Sequence, residues 1–234
     1  MIEHLFARID GLDALRMGIG AASLVAAVAY LPFVAAQPSP MRAALKTAAI
    51  GILSVLPLTY LDIEGVQTVV LLVLTAALAL SALGDLLLAL KDQQRFFVLG
   101  LVSFLGAHVA YLAAFLPQAA LPSGLATVVV AIVLAGAAGL MVVLFPRLGK
   151  LKAPVAAYFA VIMAMVAAAL SIPDASWILG AGAVLFALSD SLIAVRKFLR
   201  PFPGINAAVW ITYCAAQFMI AAALLVLAVP AETL

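Results

Sequence analysis

Long apolar runs separated by short polar breaks organise this chain. A helix that crosses a bilayer needs roughly 20 mostly apolar residues, within a range of about 17–25. Eight stretches meet that length: 14–36, 43–61, 66–90, 96–116, 123–145, 154–172, 175–198 and 205–229. The breaks carry residues that stop helices or seek water. They are Pro38-Ser39-Pro40, Asp62-Ile63-Glu64-Gly65, Lys91-Asp92-Gln93-Gln94-Arg95, Pro122-Ser123-Gly124, Pro146-Arg147-Leu148-Gly149-Lys150, Pro173-Asp174 and Arg200-Pro201-Phe202-Pro203-Gly204. The second and sixth stretches are short, and they contain Lys46 and Pro154. The predicted fold is all-α: an integral membrane protein of eight transmembrane helices in one bundle, a single domain over 1–234. Stretches 14–116 and 123–229 form a candidate pair of parallel four-helix repeats.

Ahead of the first run, Ile2, Leu5, Phe6 and Ile9 predict a short amphipathic segment lying at the interface. Phe33-Val34-Ala35-Ala36-Gln37 has the small residues of a cleavage site. The apolar run before it is about twice a signal-peptide core in length, so an uncleaved first helix is expected. Charge then orients the segments. Arg42, Lys46, Lys91, Arg95, Arg147, Lys150, Lys152, Arg196, Lys197 and Arg200 fall on one side, with Arg8 and Arg16 in an N-terminal tail on the other. Cytoplasmic loops are enriched in Lys and Arg, which places the ten inside and both termini outside. Asp62, Glu64, Asp174 and Glu232 then lie outside. The expected location is a bacterial inner membrane.

Composition agrees. The 234 residues are 68% hydrophobic and 9% charged, against about half and a quarter in soluble domains. The net charge of +2 is segregated by side and predicts no nucleic-acid partner. A single cysteine, Cys214, excludes an intrachain disulfide, and two histidines without a Cys/His cluster predict no metal site. No cofactor is expected. There is no Gly-x-Ser-x-Gly elbow, His-Glu-x-x-His or phosphate-cradling Gly loop. No segment has the regularly spaced arginines of a voltage sensor.

Two aspartates stand out because a carboxylate in hydrocarbon is expensive. Asp85 lies in Ser81-Ala82-Leu83-Gly84-Asp85-Leu86 and Asp190 in Phe186-Ala187-Leu188-Ser189-Asp190-Ser191. Each is six residues before a cation, Lys91 or Arg196. The rise of a helix puts both about 8–10 Å inside the basic helix ends. One reading has them facing a common cavity, where repulsion and burial keep one protonated as an acid and leave the other as a base. The plainer reading has each neutralise a nearby Lys or Arg. Lys46 either snorkels to the interface or meets a headgroup or an aspartate. His108 and Tyr111 share a helix face, as do Tyr213 and Gln217, and all four fall in a similar layer. They line a pocket or make interhelical hydrogen bonds. Asn206 sits at the basic-side mouth, and Tyr158 is either an interface aromatic or part of the site.

Taken in order, several stretches resemble the lysoplasmalogenase family, the YhhN-like integral membrane proteins. They are Lys46, Gly84-Asp85, Phe96-Phe97 through Gly100, Phe104, His108 and Tyr111, then Tyr158 after Pro154. Gly182 through Ser191, Phe198, and Thr212-Tyr213 with Gln217 complete the set. The resemblance implies a hydrolase of the lysoplasmalogen vinyl ether. Its products would be a fatty aldehyde and a glycerophospho-headgroup, its catalytic pair Asp85 and Asp190, and its partners a lysophospholipid substrate and membrane lipids. Lys46 and the polar rim of His108, Tyr111, Tyr158, Asn206, Tyr213 and Gln217 would bind substrate. Two other readings fit intramembrane acids: a small proton-coupled transporter, and a scaffold whose aspartates lock helices together.

Overall fold

The computed structural model describes residues 11–90, 93–173 and 177–230, and of 93–95 the backbone alone. Among the described residues all regular structure is helical. It comprises α1 (Asp13–Ala29), α2 (Pro40–Leu53), α3 (Thr68–Ala89), α4 (Gln93–Phe115), α5 (Leu125–Leu144), α6 (Lys152–Leu170), α7 (Trp177–Phe198) and α8 (Ile205–Ala228). With short 3₁₀ extensions at several ends, these make eight helices long and apolar enough to cross a membrane. The chain is a multi-pass membrane protein.

Proline sets several helix ends. Leu31–Phe33, Leu56–Tyr60, Leu116–Gln118 and Phe145–Arg147 are 3₁₀ turns, each with a proline in its first positions. Proline has no N–H to donate and its ring collides with the carbonyl four residues back. The chain therefore tightens into 3₁₀ turns where α-helix would have continued. At the start of α2 the same residue type helps. Pro40 opens the helix, and the Ser39 hydroxyl accepts from the Arg42 N–H at 3.2 Å.

Two compact units emerge: Met1–Ala114 with Ala221–Leu234, and Phe115–Ile220. In the first, α2 packs on both α1 and α3. Ser23 of α1 donates to the Ala49 carbonyl of α2, and Ile50, Leu71, Leu74 and Leu78 are fully buried. Gly65, at φ +79°, makes the reversal before α3 that a side chain would strain. Gln67 then fastens the start of α3 to the end of α8, through Ala228 O at 2.9 Å and Leu227 O at 3.0 Å.

Close approach of α3 and α4 depends on glycine. A Cβ on Gly84 would lie 2.6 Å from the Phe104 ring, and one on Gly100 would lie 2.9 Å from Leu88. Lipid tails are as apolar as these side chains, so intimate packing rather than exclusion from water holds the helices together. In the second unit α7 uses the same device, with Gly180 against Leu170 of α6 and Gly182 against Ile220 and Met219 of α8. Leu144, Leu148 and Val155 form a small core under the α5–α6 turn, joined by Ala194 and Phe198 of α7.

One placement corrects the sequence reading. Arg16 is not in a tail; it lies in α1 and is fully buried. Its Nη2 donates to Thr59 O at 2.6 Å, its Nε to Thr59 Oγ1 at 3.3 Å, and the guanidinium sits 4.1 Å over the Tyr60 ring. Asp13 approaches at 3.5 Å. A buried cation is tolerable when a carbonyl, a hydroxyl, a carboxylate and a ring face together replace its water. The predicted amphipathic residues Ile2, Leu5, Phe6 and Ile9 lie outside the described residues, as do Arg8, Lys91, Asp174, Glu232 and the Arg95 side chain.

Candidate functional site

Asp85 lies one turn before the end of α3 and is 1% exposed. Its neighbour Gly84 lets Phe104 of α4 press against the α3 backbone, so one side of α3 is filled by a ring. Lys46 of α2 meets the carboxylate, with Nζ 2.9 Å from Oδ1 and its side chain 15% exposed. Of the roles predicted for Lys46, the structure supplies the meeting with an aspartate. Ser81, one turn deeper on α3, has a buried hydroxyl with no hydrogen-bond partner among the described residues. Such a group is costly to leave alone, so it is a position able to hold a water or a substrate oxygen near Asp85.

His108 and Tyr111 of α4 are both fully buried in the same unit. His108 Nδ1 lies 2.6 Å from the Phe104 carbonyl. A carbonyl only accepts, so Nδ1 carries a proton. The same Phe104 thus packs on Gly84 with its ring and orients His108 with its backbone. Ser103 adds a bond to Leu80 O at 2.7 Å, pinning α4 to α3.

The second unit holds Asp190 in α7, 9% exposed. Its partner is Tyr158 of α6, whose hydroxyl donates to Oδ2 at 2.7 Å. Tyr158 is therefore a buried partner of the acid and not an interface aromatic. Spacing could not have revealed this pair, since 32 residues separate its members. Ser189 donates to Val209 O at 3.1 Å and draws α8 to α7 beside the carboxylate. Tyr213 stands edge-on to Phe186 at 5.6 Å and tilts against Trp210 at 5.7 Å. Gln217, one turn on, is fully buried. Asn206 is held by Arg196, which donates to its Oδ1 at 2.8 Å. Phe186 and Trp210 were not singled out from the sequence, because aromatic residues inside apolar runs carry no signal of their own. An open apolar groove of about 280 Å³ runs between α5 and α6, against Phe159 and Met163. Those residues are on the opposite face of α6 from Tyr158, so the groove is separate from the carboxylate.

The two aspartates differ in setting. The α3 that holds Asp85 stops at Ala89, about one turn on, whereas α7 continues two turns past Asp190 to Phe198. Equal depth below the helix ends, expected from the cation spacing, is not what these helices have. The reason is that α7 remains helical through Arg196 and Lys197, while α3 ends before its first cation. Asp85 is paired with an ammonium and Asp190 is held by a phenol. The described residues contain no group of three or more His, Cys, Asp or Glu able to hold a metal ion.

A family model described as the YhhN family matches residues 41–224. A protein of Mycobacterium bovis named lysoplasmalogenase is 41% identical over 154 residues, 64% of this chain and 59% of its own length. A Bos taurus protein named lysoplasmalogenase TMEM86A is 37% identical over 153 residues, covering 62% and 61%. A human protein named lysoplasmalogenase TMEM86B is 36% identical over 147 residues, covering 63% and 61%. The chain thus spans about three fifths of the length of these relatives. No solved structure matches it.

Proposed function

The chain belongs to the YhhN family, and from that premise we propose that it is a membrane hydrolase that cleaves the vinyl ether of lysoplasmalogens. The observation that carries the reading is the match of residues 41–224 to the YhhN family model, within which the buried Asp85–Lys46 pair lies. A carboxylate inside a spanning helix is expensive to maintain and is a functional-site candidate by default; the variants below separate that role from an ion pair that only joins α2 to α3. The relatives' printed names point to the same substrate class.

Vinyl-ether hydrolysis needs a proton donor and a proton acceptor. A proton added to the alkene carbon remote from oxygen leaves an oxocarbenium ion. Water attacks the carbon bonded to oxygen and loses a proton, giving a hemiacetal. The hemiacetal collapses to a fatty aldehyde, and the glycerol oxygen leaves with a proton. One water is consumed, and the two carboxyls are reset when the base releases the proton it took from water to the medium and the acid takes one up from it. Asp190 is assigned the acid. Tyr158 donates to Oδ2 and orients the carboxyl group. Asp85 is assigned the base. As a carboxylate paired with Lys46, it stabilises positive charge on the substrate and accepts the proton from water. His108, Tyr111, Tyr213 and Gln217 are assigned to substrate binding, and Asn206 to the mouth on the basic side.

The test is aldehyde release from a 1-alkenyl-glycerophosphoethanolamine by purified protein in detergent. Turnover without a sealed membrane is expected, which a transporter does not need to show. Asp85→Asn and Asp190→Asn should each fold and lose at least ~100-fold in kcat, the lower range for an acid–base group. Near-normal turnover by either variant removes that aspartate from the mechanism.

A further inference from the structure

We propose that Arg42 is the phosphate-binding residue of this site. The inference rests on the activity proposed above and adds what recognises the headgroup. Lys46 is committed to Asp85 at 2.9 Å, so its charge is already used within the protein. Arg42 precedes it by four residues on α2 and shares its face. Its guanidinium donates through Nε to Phe33 O at 3.1 Å and through Nη1 to Ala89 O at 3.5 Å, and it lies 5.9 Å from the Tyr30 ring.

Those contacts are two carbonyls and a ring. They orient the guanidinium and leave its charge without a carboxylate among the described residues. An arginine has five N–H donors, and the two carbonyl bonds involve only Nε and Nη1. A half-buried arginine pinned by carbonyls at the edge of an apolar layer suits a phosphate, which guanidinium groups bind with paired hydrogen bonds.

The spacing fits one molecule. Arg42 and Lys46 are separated by about 6 Å along the helix axis. In a lysoplasmalogen the vinyl ether and the phosphate lie at opposite ends of one glycerol, a comparable reach. With the ether at Asp85, the phosphate falls at Arg42.

The experiment compares two substrates with the same alkenyl chain, one a 1-alkenyl-glycerophosphoethanolamine and the other a 1-alkenylglycerol with no phosphate, in neutral detergent micelles. Arg42→Gln should raise KM for the first about 10- to 100-fold, the range for hydrogen bonds to a charged group. It should leave KM for the second unchanged, and Arg42→Lys should recover part of the loss. An equal rise in both KM values, or none, overturns the proposal and leaves Arg42 as a clasp between α2 and α3. Were the phosphate that of a bilayer lipid, added phosphatidylglycerol would stimulate both substrates equally and Arg42→Gln would abolish that response, which also overturns it. If Arg42→Gln does not fold, the wild-type protein decides. Glycerophosphoethanolamine should compete with 1-alkenylglycerol, and no inhibition overturns the proposal. Failure of the wild type to release aldehyde from either substrate sinks the proposed activity and this inference with it. Normal turnover with an unchanged substrate ratio sinks the inference alone.

Discussion

At the scale of single residues, Asp85 meets Lys46 and Asp190 meets Tyr158, and these partners predict different failures. Lys46→Met would leave the Asp85 carboxylate buried without its cation. Breaking a buried pair from one side costs about 3–5 kcal/mol, so thermal unfolding in detergent should move sharply down. The double variant Lys46→Met/Asp85→Asn should recover much of that loss, because no uncompensated charge remains. A double variant no more stable than the single one would mean that the pair is not coupled. Tyr158→Phe removes the hydroxyl that reaches Asp190 Oδ2 and leaves the ring in place. It should lower kcat about tenfold with KM unchanged, as expected for one hydrogen bond to a charged or reacting carboxyl. Unchanged kcat would exclude Tyr158 from positioning the acid. Both aspartates were legible in the sequence because an acid within an apolar run has few explanations. Lys46 was readable as a partner for one of them, but which one it meets was not, and the Tyr158–Asp190 bond, across 32 residues, leaves no trace in local spacing.

At the scale of helices, what matters is how closely two of them approach. Gly84 lies directly before Asp85 and gives its space to the Phe104 ring, whose residue also orients His108. Gly84→Ala should therefore cost about 1–3 kcal/mol of stability by overpacking, and it should lower turnover by shifting α3 against α4. Adding Phe104→Leu should relieve the collision and restore part of the stability. A Gly84→Ala protein as stable as the wild type would show that the ring moves aside freely. The helices themselves were readable from length and hydropathy. Their ends were less so, because prolines 32, 57, 117 and 146 convert the last turns from α to 3₁₀. The small-residue positions were visible in the sequence, but the neighbour each one admits was not. Arg16 shows the same limit. As a charge near the start of the chain it reads as a tail, whereas α1 carries it in to Thr59 and Tyr60.

At the scale of the molecule, the segregation of cations predicts an orientation. We infer that the basic loops face the cytoplasm and that both ends of the chain face outward. The chain's one native cysteine, Cys214, is buried, so single introduced cysteines can report on sidedness. Ser123→Cys, in an exposed position, should react with a membrane-impermeant maleimide in intact cells. Lys150→Cys, also exposed, should react only after permeabilisation. The opposite pattern would reverse the orientation and, with it, the side from which Arg42 meets a headgroup.

Composition and hydropathy by themselves determined that this is a membrane protein, with eight helices of spanning length among the described residues. A bilayer demands long apolar segments, and such segments are written locally along the chain. They also marked the two acids, since charge inside those segments is conspicuous wherever it falls. Tertiary structure alone decided that Asp85 is paired with an ammonium, that Asp190 is held by a phenol, and that Arg42 is left facing carbonyls. Those outcomes depend on which faces of separate helices meet, and close packing between helices sets that.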